Sequence, residues 1–335
     1  DRKEIMKIPV SVALICPFSR GPARGNITTV GRIAGHLPQA GCTVTVLPLD
    51  TMPPEARRTV LNTASPDLLH AFHANFGGPV ARSLAAEFGI PYLITITGSD
   101  LFDLELCSDA ATGQAIRDAA ALTCFDALVA RRLAEVFPDA AAKITVIHQG
   151  VAPLPTSGPF PRAGDEFIVL LPAAIRPVKG ISDAIEALTP LARDFPALRL
   201  LLAGGELDPA YAAEVRNMIV PLPWVRMLGE VPHQRMGDLY AASDLVLNCS
   251  LFEGGMANTV LEAMIMGKPV LARDVVGNRS LIDHGGTGWL FTTHVELRKL
   301  VKSLLLDPGP GVRTGEAGRD FVREHCSIQK EARDY

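Results

Sequence analysis

The stretch Asn248-Cys-Ser-Leu-Phe-Glu-Gly-Gly-Met-Ala-Asn-Thr-Val-Leu-Glu-Ala-Met-Ile-Met-Gly-Lys-Pro-Val270 decides the fold, because it joins a strand, a glycine loop, a helix and a second strand. The first strand, Leu245–Cys249, is apolar throughout. The helix, Asn258–Met266, begins with a residue type that commonly caps helices through its side chain. The second strand, Pro269–Arg273, follows after one glycine and one lysine, so the unit is a strand–helix–strand crossover between parallel strands.

The same alternation of short apolar strands and amphipathic helices runs through both halves of the chain. Further strands are predicted at Ile8–Cys16, Cys42–Leu47, Asp67–Ala71, Tyr92–Thr97, Ala121–Phe125, Ile144–His148, Glu166–Pro172, Leu198–Ala203 and Val225–Leu228. Further helices are predicted at Asn26–Ala40, Pro79–Phe88, Ala127–Phe137, Ile181–Phe195, Pro209–Ile219, His233–Ala242, Gly277–His284, Val295–Leu305 and Gly315–Glu324. The predicted fold class is therefore α/β, with doubly wound, Rossmann-like parallel sheets.

Two domains are expected, because 335 residues exceed what one hydrophobic core usually organises. The strand–helix pattern stops around residues 152–165, which are rich in proline and glycine, and then restarts. We predict a first Rossmann-like domain over residues 1–153, a linker over 154–165 and a second Rossmann-like domain over 166–314. The remaining residues, 315–335, form a helix that we expect to cross back to the first domain.

Composition excludes several functional classes. The net charge is −4 and the pI about 6.1, with no polybasic run, so neither nucleic acid nor an anionic membrane surface is an expected partner. The charged N-terminus does not resemble a signal peptide, and no apolar run approaches the ~20 residues of a transmembrane helix; peripheral membrane contact stays open. The six cysteines form no CxxC pair, which favours reduced core thiols and a cytoplasmic location.

Familiar catalytic signatures are also missing. The chain has no GxGxxG, GxxxxGK[ST], GxSxG or HExxH motif, so no nicotinamide, flavin or other cofactor and no metal site is expected.

Two loops of the second half carry the strongest candidates for binding a phosphate. In the first, Gly254 and Gly255 let the backbone approach a ligand, the start of the next helix favours an anion, and Glu253 and Glu262 can accept hydrogen bonds from sugar and ribose hydroxyls. In the second, Arg176 and Lys179 follow a strand and can clamp a diphosphate.

A purely structural interpretation of both loops stays open. The first would then be a tight strand–helix turn with solvated carboxylates, and the second a loop with solvated basic residues.

The first half offers weaker candidates. The loop Arg20–Asn26 can bring the backbone amides of Gly25 and Asn26 to a phosphate or an acceptor. His73 and Asp100 follow neighbouring strands and can orient or deprotonate an acceptor hydroxyl, with Ser99 beside them. A lone histidine is nevertheless more often structural than catalytic.

Taken together, these motifs resemble glycosyltransferase family 4, the glycosyl transferases group 1. The matching segments are Arg176…Lys179-Gly180, Leu202-Ala-Gly-Gly205, Leu228-Gly-Glu-Val-Pro232, Leu239-Tyr240, Ser243-Asp244, Ser250…Glu253-Gly254, Leu261-Glu-Ala-Met264, Gly267-Lys-Pro-Val270, Gly277-Asn278 and Gly285-Gly-Thr-Gly288. Within that family the similarity is greatest to the glycosyltransferase-1-domain-containing proteins, through Leu271-Ala-Arg-Asp274 and the short Arg176–Lys179 spacing.

The resemblance implies a GT-B fold, with two Rossmann-like domains facing a central cleft, and a metal-independent transfer that retains anomeric configuration. The co-substrate would be a nucleotide sugar and, by analogy with the family, a UDP-sugar that carries a hexose or an N-acetylhexosamine. The acceptor would be a small molecule or a glycan. Arg176 and Lys179 would stabilise the leaving diphosphate. Glu253 would contact the donor sugar and Glu262 the ribose.

The resemblance also assigns the remaining donor and acceptor contacts. The loop Gly229–Pro232, with Val231, would meet the base, and Gly204 lies in a second donor-side motif. The backbone amides of Met256, Ala257, Asn258 and Thr259 would meet the phosphate and the sugar. His73, Ser99 and Asp100 would lie on the acceptor side.

One feature departs from the family. Glu253 and Glu262 are nine positions apart, one more than the family usually has, and we expect the extra residue to bulge in the glycine loop without moving Glu262. The Gly25-Asn26 loop and Glu253-Gly-Gly255 also resemble the bacterial selenosugar synthases.

Three alternative functions stay open. They are a selenosugar or thiosugar synthase, another GT-B chemistry such as an epimerase or hydrolase, and a non-catalytic nucleotide-sugar-binding scaffold. The sequence determines neither the acceptor nor the oligomeric state.

Overall fold

A computed structural model describes residues 9–19 and 25–335. The chain divides into two compact units. The first unit runs up to Gly150 and includes Ile328–Tyr335, and the second is Val151–Ser327.

The first unit is built on a parallel sheet. Its strands are β1 (Val10–Cys16), β2 (Cys42–Pro48), β3 (Leu68–Phe72), β4 (Tyr92–Ile96), β5 (Ala121–Cys124) and β6 (Ile144–Val146), in the order β2-β1-β3-β4-β5-β6. Strand β1 alternates between two cores, because Ala13 and Ile15 pack on one face and Val12 and Leu14 on the other. The strand order reverses between β1 and β3, and ligands of such sheets bind beyond the carboxyl ends of the strands at such a point.

Helices cover both faces of this sheet. They are α1 (Gly25–His36), α2 (Pro54–Ala64), α3 (Gly78–Phe88), α4 (Ser99–Phe102), α5 (Leu104–Ser108), α6 (Ala110–Asp118) and α7 (Ala127–Val136). The predicted helix Asn26–Ala40 is shorter as an α-helix, since a 3₁₀ turn over Leu37–Ala40 ends it at Gly41, whose φ is 91°. Helix α2 was missed in the prediction because Leu61 is its only buried residue, so it carries no apolar stripe. Ile8, the predicted start of β1, lies outside the described residues.

The second unit also contains a parallel sheet. Its strands are β7 (Phe167–Pro172), β8 (Leu198–Ala203), β9 (Val225–Gly229), β10 (Leu245–Asn248), β11 (Val270–Arg273) and β12 (Trp289–Phe291), in the order β12-β11-β10-β7-β8-β9. Counted from β7, this is the strand order of the dinucleotide-binding Rossmann fold, with the reversal between β7 and β10. The loops after β7 and β10 therefore flank the expected ligand position.

The helices of the second unit mostly match the prediction. They are α8 (Ile181–Asp194), α9 (Pro209–Ile219), α10 (His233–Ala242), α11 (Asn258–Ile265), α12 (Val276–Arg279), α13 (His294–Leu306) and α14 (Gly309–His325). The predicted helix Gly277–His284 was too long, because α12 ends at Arg279 and a turn with Gly285 at φ 83° leads into β12. None of the described helices is both long and apolar enough to cross a membrane.

The proline-rich segment after Val151 lacks helix and strand but is anchored to α10. Asp238 is buried, and its carboxylate accepts hydrogen bonds from the backbone amides of Ser157 (2.7 Å) and Gly158 (3.2 Å) and from the side chain of Arg235 (2.8 Å). Burial raises the pKa of Asp238, but these hydrogen bonds outweigh it and hold the pKa at about 2. A Cβ on Gly237 would lie 2.1 Å from the carbonyl oxygen of Pro155, so the segment passes directly over the helix backbone.

The C-terminal part is two helices instead of one. The predicted Gly315–Glu324 is the centre of α14, which packs on α11 within the second unit. A separate helix, α15 (Ile328–Asp334), packs on α1 within the first unit. There Arg32 and Glu331 form two hydrogen bonds of 2.8 Å, with only 10% and 2% of their side chains exposed.

Candidate functional site

The loops after β7 and β10 are held against each other at the carboxyl edge of the second sheet. Gly180 ends the β7 loop with φ 60°, and a Cβ there would lie 2.2 Å from the carbonyl oxygen of Cys249. The amide of Leu251 donates to the carbonyl of Val178 at 2.8 Å. Glycine is therefore required at position 180, both for its backbone conformation and for this close approach.

This contact brings predicted site residues of the two loops together. Lys179 donates from Nζ to Oε1 of Glu253 at 2.5 Å, and 17% and 16% of the two side chains are exposed. Arg176 immediately precedes the 3₁₀ turn Pro177–Lys179 and is exposed, with no ion-pair partner among the described residues. Lys179 and Glu253 thus meet beside the switch point of the sheet, and Arg176 lies in the same loop as Lys179.

The glycine loop Glu253–Ala257 is supported from below by α12. The amide of Gly277 donates to the carbonyl of Glu253 at 2.9 Å, and a Cβ on Gly277 would lie 2.0 Å from the carbonyl oxygen of Gly255. Gly254, Met256 and Ala257 are buried. Helix α11 begins at Asn258, so the residues between Glu253 and Asn258 are non-helical. The expected bulge of one residue relative to the family stays a prediction.

The predicted cap of α11 was wrong by one residue. Asn258 is the first helical residue, and Ala257 occupies the N-cap position without a side-chain hydrogen bond. Asn258 and Thr259 are half-buried in the first turn, where backbone amides have no partner within the helix. The anion-binding property of the helix start does not depend on which residue caps it.

Glu262 lies in the second turn of α11 and is buried, with 7% of the residue exposed. Its Oε2 accepts a hydrogen bond from the hydroxyl of Tyr240 at 2.9 Å, and its Oε1 pairs with Nε2 of His233 at 2.8 Å. The hydrogen bond to Glu262 raises the pKa of His233. Sequence reasoning missed both partners, although Leu239-Tyr240 was among the quoted motifs and His233 directly follows the Gly229–Pro232 loop.

Gly204 and Val231 lie at the same edge of the second sheet. The amide of Gly204 donates to the carbonyl of Gly229 at 2.9 Å, and a Cβ on Gly204 would lie 2.0 Å from the carbonyl oxygen of Ala173. Val231 is half-buried in the loop between β9 and α10. These contacts bring the loops after β7, β8 and β9 side by side.

In the first unit, His73 directly follows β3 and has φ 68°, an uncommon conformation for a residue with a side chain. Its Nε2 lies 3.0 Å from the hydroxyl of Ser99, and burial lowers the pKa of the ring. The imidazole is therefore neutral near pH 7. Left-handed backbone at such a residue costs roughly 1–3 kcal/mol and is often found at functional sites.

Asp100 holds this loop in place. Its buried carboxylate accepts hydrogen bonds from the amides of Ala74 (2.7 Å), Gly98 (2.7 Å) and Thr97 (3.0 Å). Both carboxylate oxygens thus accept hydrogen bonds from the backbone. This arrangement fits a role in orienting the His73 loop. It does not fit the other role that the sequence allowed, the removal of a proton from an acceptor.

The remaining predicted contacts of the first unit are Gly25 and Asn26, which open α1. Gly25 is exposed and Asn26 half-buried, whereas Arg20–Arg24 lie outside the described residues. Across residues 9–19 and 25–335, no three His, Cys, Asp or Glu side chains are grouped so that they could hold a metal ion. All six cysteines lie in the described ranges as free thiols.

The family comparison agrees with this geometry. The family model for glycosyl transferases group 1 matches residues 157–321, which include the β7 loop, the glycine loop and Glu262. Residues 157–321 are therefore similar to the glycosyl transferases group 1 domain. The predicted resemblance to this group is thereby confirmed.

Curated relatives also align with the first half of the chain. Glycosyltransferase 1 domain-containing protein 1 of Xenopus tropicalis is 26% identical over 322 residues, covering 93% of this chain and 92% of its own length. A glycogen synthase of Mycobacterium tuberculosis is 26% identical over 266 residues, and the match spans 64% of that longer protein.

Solved structures confirm the predicted GT-B fold. Sucrose-phosphate synthase from Thermosynechococcus elongatus superimposes with a TM-score of 0.82 at 19% identity, covering 96% of both chains. Anabaena HepE in complex with UDP and glucose superimposes with a TM-score of 0.75, again at 19% identity and 96% coverage of both chains. The residues that match the group 1 model, 157–321, lie within the second of the two parallel-sheet units.

Proposed function

We propose that this protein is a family 4 glycosyltransferase that moves a hexose or an N-acetylhexosamine from a UDP-sugar to an acceptor, with retention of anomeric configuration and without a metal ion. The observation that carries the proposal is the ion pair of Lys179 and Glu253 at the switch point of the second sheet, with Arg176 in the same loop as Lys179. The complex of Anabaena HepE with UDP-glucose supports a nucleotide sugar as co-substrate.

The cations stabilise the diphosphate as it leaves. Lys179 carries three donor hydrogens, of which Glu253 takes one, so two remain for phosphate oxygens. Arg176 adds a planar fork from the same short turn, and its exposure leaves it accessible to a ligand. Each charge-assisted hydrogen bond contributes roughly 1.5–3 kcal/mol, and this stabilisation grows as negative charge develops on the phosphate.

The glycine loop and α11 bind the other side of the donor. The backbone amides around Met256–Thr259 meet the phosphate at the positive end of the helix dipole. The ion pair with Lys179 fixes the Glu253 carboxylate, which then accepts hydrogen bonds from sugar hydroxyls. The nucleoside is bound by Glu262, Gly204 and Val231. Further contacts to the donor come from Gly25 and Asn26 of the first unit.

The transfer follows a front-face displacement. The bond from the anomeric carbon to the diphosphate oxygen breaks, and the acceptor oxygen bonds to that carbon on the same face. The acceptor proton passes to an oxygen of the departing phosphate, so no strong protein base is needed. Neutral His73, with Ser99 beside it and the loop held by Asp100, positions hydroxyl groups on the acceptor side.

The cysteines support an expectation for the compartment in which the protein acts. The six free thiols support a reducing compartment such as the cytoplasm. The acceptor is a small molecule or a glycan, and its identity depends on the first unit.

The first experiment is a thermal-shift screen of the purified chain against nucleotide sugars. A ligand present at ~100 times its Kd adds about 2.7 kcal/mol of stability, which is easily measured. The stabilising donor is then incubated with a panel of hydroxyl acceptors, with selenophosphate, and without any acceptor. Sugar transfer to a hydroxyl with retained configuration supports the proposal. Transfer only to selenium, or release of free or isomerised sugar at full rate, contradicts it.

Replacement of the cations tests the site itself. Arg176→Ala and Lys179→Ala should each lower turnover at least tenfold, because ~1.4 kcal/mol corresponds to a decade in rate. Lys302→Ala, at an exposed position of α13, is the matched control and should leave turnover unchanged. Unchanged sugar transfer in both site variants would refute the assignment, and donor binding without turnover on any acceptor would favour a binding scaffold.

A further inference from the structure

The pair formed by His233 and Glu262 joins two loops of the candidate donor site. His233 is the first residue of α10, directly after the β9 loop, and Glu262 lies in α11, which follows β10. Nε2 of His233 and Oε1 of Glu262 are 2.8 Å apart. We infer that His233 is a positioning residue, which holds the Glu262 carboxylate in the orientation that binds the ribose diol of the donor nucleotide. This inference rests on the proposed function.

The first step is the hydrogen-bonding capacity of Glu262. Each carboxylate oxygen accepts about two hydrogen bonds. Tyr240 occupies one position on Oε2 and His233 one on Oε1, which leaves one acceptor position on each oxygen. Two adjacent acceptor positions match the two neighbouring hydroxyls of a ribose, so both protein partners can stay in place when the nucleotide binds.

The second step concerns the different roles of Tyr240 and His233 in holding the Glu262 carboxylate. Tyr240 is fully buried and belongs to the core, so it anchors Oε2 from the inside. A carboxylate fixed through one oxygen alone can still rotate about its side-chain bonds. His233 fixes the second oxygen and so sets the plane of the carboxylate. When His233 is removed, Tyr240 still anchors Glu262, but the carboxylate oxygens that bind the diol can move.

The third step is the exposure of His233. Its side chain is 54% exposed, whereas that of Glu262 is 9% exposed. Such an exposed ring contributes little to the core, and its placement next to a buried carboxylate is not needed to fill space. The hydrogen bond to Glu262 raises the pKa of His233, which agrees with an ionised carboxylate as its partner.

The test compares two probes that differ only in the ribose hydroxyls, UDP and 2′,3′-dideoxy-UDP, by isothermal titration calorimetry. His233→Ala should weaken UDP binding about tenfold, equal to ~1.4 kcal/mol, and leave the affinity for 2′,3′-dideoxy-UDP unchanged. His233→Gln, whose amide nitrogen can replace Nε2 as donor, should restore most of the UDP affinity. His233→Asn is too short to reach and should not restore it. His325→Ala, a partly exposed histidine on α14, is the matched control.

A double-mutant cycle keeps the test decisive. In Glu262→Ala, which removes the carboxylate that His233 holds, the loss of UDP affinity from His233→Ala should disappear, since the two residues act as one unit. Equal losses for both probes in His233→Ala, or additive losses in the cycle, would overturn the role of His233 while the proposed function stands. If the unaltered protein binds neither UDP nor GDP nor ADP, the proposed function and this inference fail together.

Discussion

Replacing Gly180 by alanine should separate the two loops of the proposed phosphate site. A left-handed backbone costs an alanine about 1–2 kcal/mol relative to glycine, and Gly180 has φ 60°. In addition, the new Cβ would lie 2.2 Å from the carbonyl oxygen of Cys249, well inside the 3.4 Å at which ordinary contact begins. The β7 loop must therefore move by about 1 Å, and overpacking of this kind adds roughly 1–3 kcal/mol.

Gly285→Ala is the matched control, because Gly285 has φ 83° but nothing within 4 Å of a new Cβ. It carries the backbone strain without the clash. We expect Gly180→Ala to destabilise the second unit by about 2–5 kcal/mol and Gly285→Ala by about 1–2 kcal/mol, measured by urea unfolding followed by tryptophan fluorescence. Turnover should fall roughly a hundredfold only in Gly180→Ala, since ~1 Å of misplacement can cause that loss. Equal stability losses and equal turnover in the two variants would show that contact with Cys249 does not position the loop.

Three further predictions concern other contacts. The pKa of His233 is raised in the folded state, so the unaltered protein should be more stable than His233→Gln below the ordinary histidine pKa of about 6.5. This stability difference should vanish as the pH rises through the folded-state pKa, as measured by paired thermal melts. A difference that grows with pH would contradict the pairing. Arg32→Ala should destabilise the first unit by about 3–5 kcal/mol in denaturant titrations, because it leaves the buried charge of Glu331 unpaired. The double variant Arg32→Leu/Glu331→Leu, which removes both charges, should lose less stability. A smaller loss in Arg32→Ala than in the double variant would refute this. Asp238→Ala should speed proteolytic cleavage within residues 154–165 several-fold, since it removes the anchor of that segment, while Arg235→Ala, which leaves the amide contacts of Asp238 intact, should speed it less.

Much of the fold could be predicted, because parallel α/β sheets leave a strong local signal. The buried strands are short apolar runs, and α9 and α10 were predicted with the bounds that the structure has. The elements that were not predicted are α2, α4, α5, α6 and β12. Helix α2 buries only Leu61, and β12 has three residues, too few for any periodicity to be visible.

The candidate site divides in the same way. Arg176, Lys179 and Glu253 could be found from sequence, since each lies next to a strand end and strand ends of a parallel sheet share one edge. The contact between Lys179 and Glu253 could not, because 74 residues separate them and only the packing of Gly180 on Cys249 brings the loops together.

The sequence by itself determined the α/β class, the glycine loops and the cations of the proposed phosphate site, because these depend on residue type and on local order along the chain. Only the tertiary structure decided what each polar group contacts. It turned Asp100 into the backbone anchor of the His73 loop and gave Glu262 its two partners, His233 and Tyr240. Hydrogen bonds form over about 3 Å in space, and distance along a chain does not reveal which groups folding brings that close.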